Sequence, residues 1–250
     1  MQDEPKTSAA DASPGPTSTE RQGPLVHRSV HHAAVLWLIA SIQFILAMAI
    51  VQLAWTGHPA YSLQNNVISD LGNTQCGHWP NPTSHYVCSP LHDVFNGSII
   101  ALGLLGILGV VLVRTGFPTR RTATIGLAMV AIGSIGAIGV GTFPENVDLT
   151  AHSISALVAF LIGNLGLAAL GVAMFRDTRW SGFRAYTVLS GLVGLLGLGL
   201  YAGHVWAGLG QGGTERLIVA PLLLWLIVVS IHLLRIRQYA PHAILGSAHT

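Results

Sequence analysis

Six stretches of the chain are apolar around their whole circumference, with no alternation that would turn one face to water: Ala33–Trp55, Val94–Val113, Thr122–Gly141, Ser153–Phe175, Ala185–Gly203 and Leu217–Leu234. Each runs roughly 18 to 23 residues, enough to cross a hydrocarbon core of about 30 Å as a helix rising 1.5 Å per residue. A helix of a soluble protein carries a polar face, and these do not. None holds an Asp, Glu, Lys or Arg, and Gln43, Ser134, Asn164, Ser190 and Pro221 stand as isolated interruptions. The pattern predicts an all-α polytopic membrane protein, a six-transmembrane-helix bundle with short connections. Its expected organisation is a cytoplasmic N-terminal tail over 1–30, a transmembrane domain over 31–235 with a structured loop over 56–93, and a C-terminal tail over 236–250.

Composition sharpens this picture. With 51% hydrophobic and 9% charged residues and a mean hydropathy of +0.57, too little polar surface remains for a soluble chain of this length. The Asp, Glu, Pro, Ser, Thr and Gly of the first 24 residues read as a disordered tail. The first apolar run starts after residue 30, is too long for a signal core and lacks a small-residue cleavage site, so it reads as a retained span.

The basic residues number twelve, eleven of them Arg, and their placement predicts orientation. Lys6, Arg21 and Arg28 precede the first span, Arg114, Arg120 and Arg121 follow the second, Arg176, Arg179 and Arg184 follow the fourth, and Arg235 and Arg237 follow the sixth. These segments and both termini are expected in the cytoplasm. The opposite loops hold Asp70, Asp93, Glu145, Asp148 and Glu215 against a single Arg. The scattered arginines form no run and no groove interleaved with aromatics, which argues against a nucleic-acid partner.

Glycines recur every three residues in three spans, at Gly103, Gly106 and Gly109, at Gly133, Gly136 and Gly139, and at Gly191, Gly194 and Gly197. Small atoms in one stripe let a neighbouring backbone approach closely, so a tight bundle is expected, with a lipid-facing groove as the alternative. The chain's two cysteines, Cys76 and Cys88, fall in the long outer loop, where a disulfide is permitted and would be worth roughly 3 kcal/mol by loop closure. A metal site joined by His78, His85 or His92 is the other reading, although the cysteine spacing is too wide for common zinc motifs.

Candidate chemistry gathers at the same outer boundary. His92 and Asp93 enter the second span, with Asn96 one turn on from His92; His152 enters the fourth, His204 leaves the fifth and Glu215 enters the sixth. Polar groups among apolar helices need partners, and three uses fit: a hydrogen-bond network, a pocket for a lipid headgroup or small polar ligand, or metal-assisted acid–base chemistry. In the last, His92, His152 and His204 are candidate zinc ligands, and Asp70 or Asp93 the base. No HExxH, nucleophile elbow or Walker motif supports an enzyme directly. Asn65, Asn66, Ser69 and Asp70, in the segment NNVISDLG, can cap a turn or, through Asp70, supply a ligand.

The segments YSLQNNVISDLGNTQC, CSPLHDVFNGS and GTFPENVDLTAHSISALVAF, in that order, resemble a bacterial and archaeal membrane family known as domain of unknown function 998. More distantly, ISDLG and the FP…H…A pattern look like the damage-regulated autophagy modulator family of six-span proteins. The resemblance implies that Asn65, Ser69, Asp70, Leu71, Gly72, Pro90, Phe95, Asn96, Phe143, Pro144 and His152 occupy recurring positions, and it supplies no reaction. The expected function is that of a membrane protein binding or organising a lipid-like or small polar molecule at the outer boundary, through Asn65, Asp70, His92, Asp93, Asn96 and His152, with membrane lipids as partners. The alternatives are a metal-dependent intramembrane hydrolase, and a scaffold or transporter. Spans without ionisable acids or bases of full charge argue against coupled transport.

Overall fold

A computed structural model of the chain describes residues 18–56, 59–79 and 84–239, with side chains described from 28 to 235 within those limits. It is a bundle of six long helices: α1 (Ser18–Leu53), α2 (His92–Val113), α3 (Arg121–Thr142), α4 (Leu149–Met174), α5 (Arg184–Ala202) and α6 (Gly210–Tyr239). All six are long and apolar enough to cross a membrane. In lipid a spanning segment must satisfy its backbone internally, and the helix does so. Leu46, Leu53, Leu104, Leu108, Val111, Ile125, Ile135, Ile154, Leu189 and Leu196 project outward from the bundle. This apolar exterior, the helix lengths and the apolar run without Asp, Glu, Lys or Arg inside each helix make the chain a multi-pass membrane protein.

Helix limits differ most from the sequence expectation in α1 and α6, and α4 departs from regular α geometry. The first helix reaches back to Ser18, so residues from 18 to 30, expected as tail, are helical. Residues 1–17 and 240–250, the remainder of the two expected tails, lie outside the described residues. The last helix begins at Gly210 rather than Leu217, which moves Glu215 and Arg216 from a loop into the second helical turn. The fourth helix carries a π-helical turn over Val158–Ile162.

Each helix packs mainly on its neighbours in sequence, and α6 closes on α1, so the six form a ring. The glycine stripes are the contacts of that ring. A Cβ on Gly103 would meet the Ser134 carbonyl at 2.5 Å, one on Gly136 the Ala159 nitrogen at 2.5 Å, and one on Gly194 the Asn164 Oδ1 at 2.0 Å. Close helix approach, the expectation for these stripes, is therefore observed at all three. Asn164 donates through Nδ2 to Phe160 O (2.8 Å) and to Ile218 O (3.4 Å), tying α4 to α6.

Two apolar cores fill the ends of the ring. Near the arginine-bearing end, Trp37, Phe117, Trp180, Phe183 and Trp225 pack with Leu167 and Leu170. Two of the three indole protons are used where the helices meet: Trp37 donates to Gly106 O (3.1 Å) and Trp225 to Thr187 Oγ1 (3.0 Å). At the other end, Phe44, Val51, Ile68, Leu71, Phe95 and Leu223 form the second core.

The connection between α1 and α2 folds over this second end. It holds a 3₁₀ turn, Ser69–Gly72, then an antiparallel hairpin of β1 (Gly77–Trp79) and β2 (His85–Val87) in which His78 faces Tyr86. Cys76 and Cys88 flank the hairpin and are disulfide-bonded, with Cα atoms 4.2 Å apart. The pairing expected from sequence thus staples the base of two strands that the sequence reading does not contain.

Candidate functional site

The 3₁₀ turn plunges into the hairpin end of the ring because its own polar groups are satisfied on all sides. Asp70 is fully buried. Its Oδ2 accepts from Asn66 Nδ2 (2.9 Å) and from the Val67 N–H (3.1 Å), and His85 on β2 brings Nε2 to 3.0 and 2.8 Å of the two carboxylate oxygens. A carboxylate accepts, so His85 donates from Nε2. Gln211 of α6 lies 3.4 Å from His85 Nδ1. Asn96 fixes the far end of the turn, donating to Gly72 O (2.9 Å), and a Cβ on Gly72 would lie 2.4 Å from its Oδ1, so a larger residue does not fit there.

The neighbouring residue of the same turn faces two other helices. Ser69 Oγ lies 3.0 Å from His152 Nε2 on α4 and 3.4 Å from Glu215 Oε1 on α6. Glu215, 4% exposed, also accepts from the Ile68 N–H through Oε2. His152, 6% exposed, has its Nδ1 2.8 Å from Phe143 O. That carbonyl can only accept, so Nδ1 bears the proton and, in the neutral ring, Nε2 presents its lone pair to Ser69. Asp148 accepts from the Ala151 N–H (2.9 Å) and so caps the helix that carries this histidine.

Arg216, counted from sequence as one loop charge, is a clasp. It donates from one guanidinium nitrogen to Leu63 O, Asn66 O and Gly212 O (3.0, 2.9 and 2.8 Å) and from the other to the Tyr61 hydroxyl. Burial holds the Tyr61 phenol above its ordinary pKa, with Arg216 opposing. Glu145, in the connection between α3 and α4, accepts from Asn73 Nδ2 (3.0 Å). Burial, then the charge of Asp70, pushes its carboxyl up to about 8, against the pull of the Asn73 hydrogen bond.

Directly beneath lies a cavity of about 110 Å³ in the middle of the ring. Ser69 and Glu215 line it at the hairpin end, while Phe44, Phe95, Leu102, Val130, Leu222 and Trp225 are among its apolar walls. The π-helical turn contributes Ala159 and Phe160. From Glu215 to Leu226, both lining residues, α6 advances about 16 Å, roughly half a hydrocarbon core. A second, wider cavity of about 560 Å³ sits above, with Asn65, Asn66, His78, His85, Trp206 and Gln211 in its wall.

The residues singled out from sequence separate into two groups. Asp70, Asn96 and His152 are brought together around the 3₁₀ turn. Asn65 contributes its backbone, its carbonyl accepting from Gln211 and its N–H donating to Ser62 Oγ. His92 lies at the start of α2 with Nδ1 2.9 Å from Ser89 O, and Asp93 beside it has a side chain 94% exposed. His204 is exposed after the end of α5, in a left-handed conformation (φ 54°), with its ring against Trp206. Among the described residues no three His, Cys, Asp or Glu side chains are grouped to hold a metal ion, so His92, His152 and His204 do not share a centre.

Sequence reasoning missed Ser69 as a partner of His152, His85 as the partner of Asp70, and the inward turn of Glu215. Two of these pairings span more than 80 positions, and no spacing rule reaches that far. Neither the curated proteins nor the solved structures contain a match to this chain. A family model described as a protein of unknown function, DUF998, matches residues 38–232.

Proposed function

Because the chain belongs to the DUF998 family, whose description carries no activity, we propose a function from the cavity and its mouth: the protein binds a single-chain amphiphile, with the apolar part inside the ring and the polar head against Ser69 and Glu215. The observation that carries this reading is the cavity's polarity gradient: its walls are apolar but for Ser134, whose hydroxyl is bonded to Val130 O, until Ser69 and Glu215 enter at the hairpin end. Ligand sites are apolar concavities with a few convergent polar groups. An apolar void of roughly 150 Å³ holds a benzene ring, so this one suits a segment of alkyl or isoprenoid chain rather than a whole bilayer lipid.

The arginine distribution supports an orientation with the hairpin end outside the cell and both termini in the cytoplasm. An oxidised cysteine pair in the hairpin accords with that side. Under this orientation the ligand enters from the outer leaflet.

The test is photocrosslinking of a diazirine-bearing fatty alcohol to purified protein in nanodiscs. Label is expected on peptides of α2, α3 and α6 that line the cavity, with loss of at least about tenfold in Ala137→Phe, which fills it; one such contact is worth about 1.4 kcal/mol. Equal labelling of Ala137→Phe, or label confined to the outward-facing side chains, would overturn the reading.

A further inference from the structure

We propose that Ser69 is a nucleophile activated by His152, and that the protein transfers the acyl group of a neutral carboxylic ester, carried by an amphiphile seated in the cavity, to water. This inference rests on the binding reading above and assigns that site a reaction.

The geometry supplies each role. Ser69 lines the cavity, and its Oγ lies 3.0 Å from His152 Nε2. The Phe143 carbonyl, 2.8 Å from Nδ1, holds the ring in the tautomer whose bare nitrogen faces the hydroxyl. This is the relation of nucleophile, base and orienting group found wherever serine is activated by histidine, with a backbone carbonyl as the third member. Two acceptors compete for the single hydroxyl proton, and Nε2 is closer than Glu215 Oε1, at 3.0 against 3.4 Å. In its ionised form Glu215, which touches the same oxygen, also favours the imidazolium that forms when the proton moves.

The chemistry of the surroundings selects the substrate class. Glu215 borders Ser69, and the buried Asp70 is the next residue of the same turn. Arg216, the cation adjoining them, is committed to Tyr61 and three carbonyls. Phosphoryl transfer needs cations about the equatorial oxygens, and a phosphate here would meet carboxylates instead. A neutral ester meets no such penalty, and its acyl chain has an apolar space directly below.

The steps balance without a further reactant except water. As Ser69 Oγ bonds to the ester carbon, its proton passes to His152 Nε2. Collapse breaks the bond to the alkoxy oxygen, which takes that proton and leaves as an alcohol. Water then attacks the acyl-serine, gives its proton to Nε2, and the Oγ–carbon bond breaks with return of the proton to Ser69. The products are one carboxylic acid and one alcohol.

The experiment treats full-length protein in nanodiscs with a dodecyl fluorophosphonate and follows labelling by mass spectrometry, alongside the fatty-alcohol crosslinking described above. The expected result is an adduct on Ser69, absent in Ser69→Ala and slowed at least about a hundredfold in His152→Ala, the lower range for loss of a general base. The wild-type labelling rate should rise with pH, with Glu215 on the same hydroxyl and Glu145 beyond Asp70 also contributing to the profile. His152→Ala should remove the largest step while Glu145→Gln leaves it, a change that a purely structural histidine would not produce. Should either variant fail to fold, the adduct site and pH profile of the wild type decide alone. Crosslinking of the alcohol without an adduct on Ser69 overturns the acyl-transfer inference and leaves the binding reading standing. Absence of both removes both.

Discussion

Glu145 is a carboxyl placed where ionisation is costly, with its pKa raised to about 8 by burial and by Asp70. Between the ordinary carboxylate range and that value the folded state binds a proton that the unfolded state has released, so folding stability falls as pH rises through this window. Thermal unfolding in detergent should therefore show a melting temperature that declines from pH 5 to pH 8, and Glu145→Gln should flatten the decline. A wild-type curve that rises over the same interval would contradict the assignment. At this scale the sequence is a partial guide. Asp70 and Asn96 stand out as polar residues at an apolar boundary, and both prove to hold the 3₁₀ turn. Ser69 looks like an ordinary capping residue beside them, because its role depends on His152, 83 positions away. Arg216 and Glu215 were legible as charges but not as clasp and cavity wall, since both depend on α6 starting at Gly210.

Elements were read most securely where lipid dictates them. Six apolar runs without charge admit few structures other than spanning helices, and each appears where its run lies. What escaped were features set by packing rather than by composition. The π-helical turn at Val158–Ile162 leaves no mark in hydropathy, and three-residue strands are too short to show alternation. The disulfide closes the base of this short hairpin, so Cys76→Ser with Cys88→Ser should lower stability by about 3 kcal/mol, the loop-closure value for a ring of this size. It should also loosen His85 from Asp70, measurable as faster hydrogen exchange across β2. Unchanged exchange would mean that the strands hold themselves. The glycine stripes give a sharper test of helix contact. A side chain at Gly194 must displace Asn164, whose Oδ1 would lie 2.0 Å from the new Cβ. Gly194→Leu should cost about 1–3 kcal/mol by overpacking and reduce the folded fraction on size-exclusion chromatography, whereas Gly199→Leu, with nothing within 4 Å of its Cβ, should not.

For the molecule as a whole, charge asymmetry and ring closure make separate claims. The first concerns direction: a cysteine placed at Asp93 in a Cys76→Ser, Cys88→Ser background should react with an impermeant maleimide in intact cells, and one at Arg120 should react after permeabilisation alone. Reaction of both from the same side would reject the six-span topology itself. The second concerns how the interior is made. The ring is sealed by α1 against α6, and of the six described helices α1 is made before the other five and α6 after them. Before α6 is in place the ring lacks the wall that Glu215, Val219 and Leu223 supply to the cavity, and that side is open to surrounding lipid chains. Closing the ring therefore means either expelling those chains or trapping one, and the first occupant of the cavity can be acquired during assembly rather than by later diffusion through the finished wall.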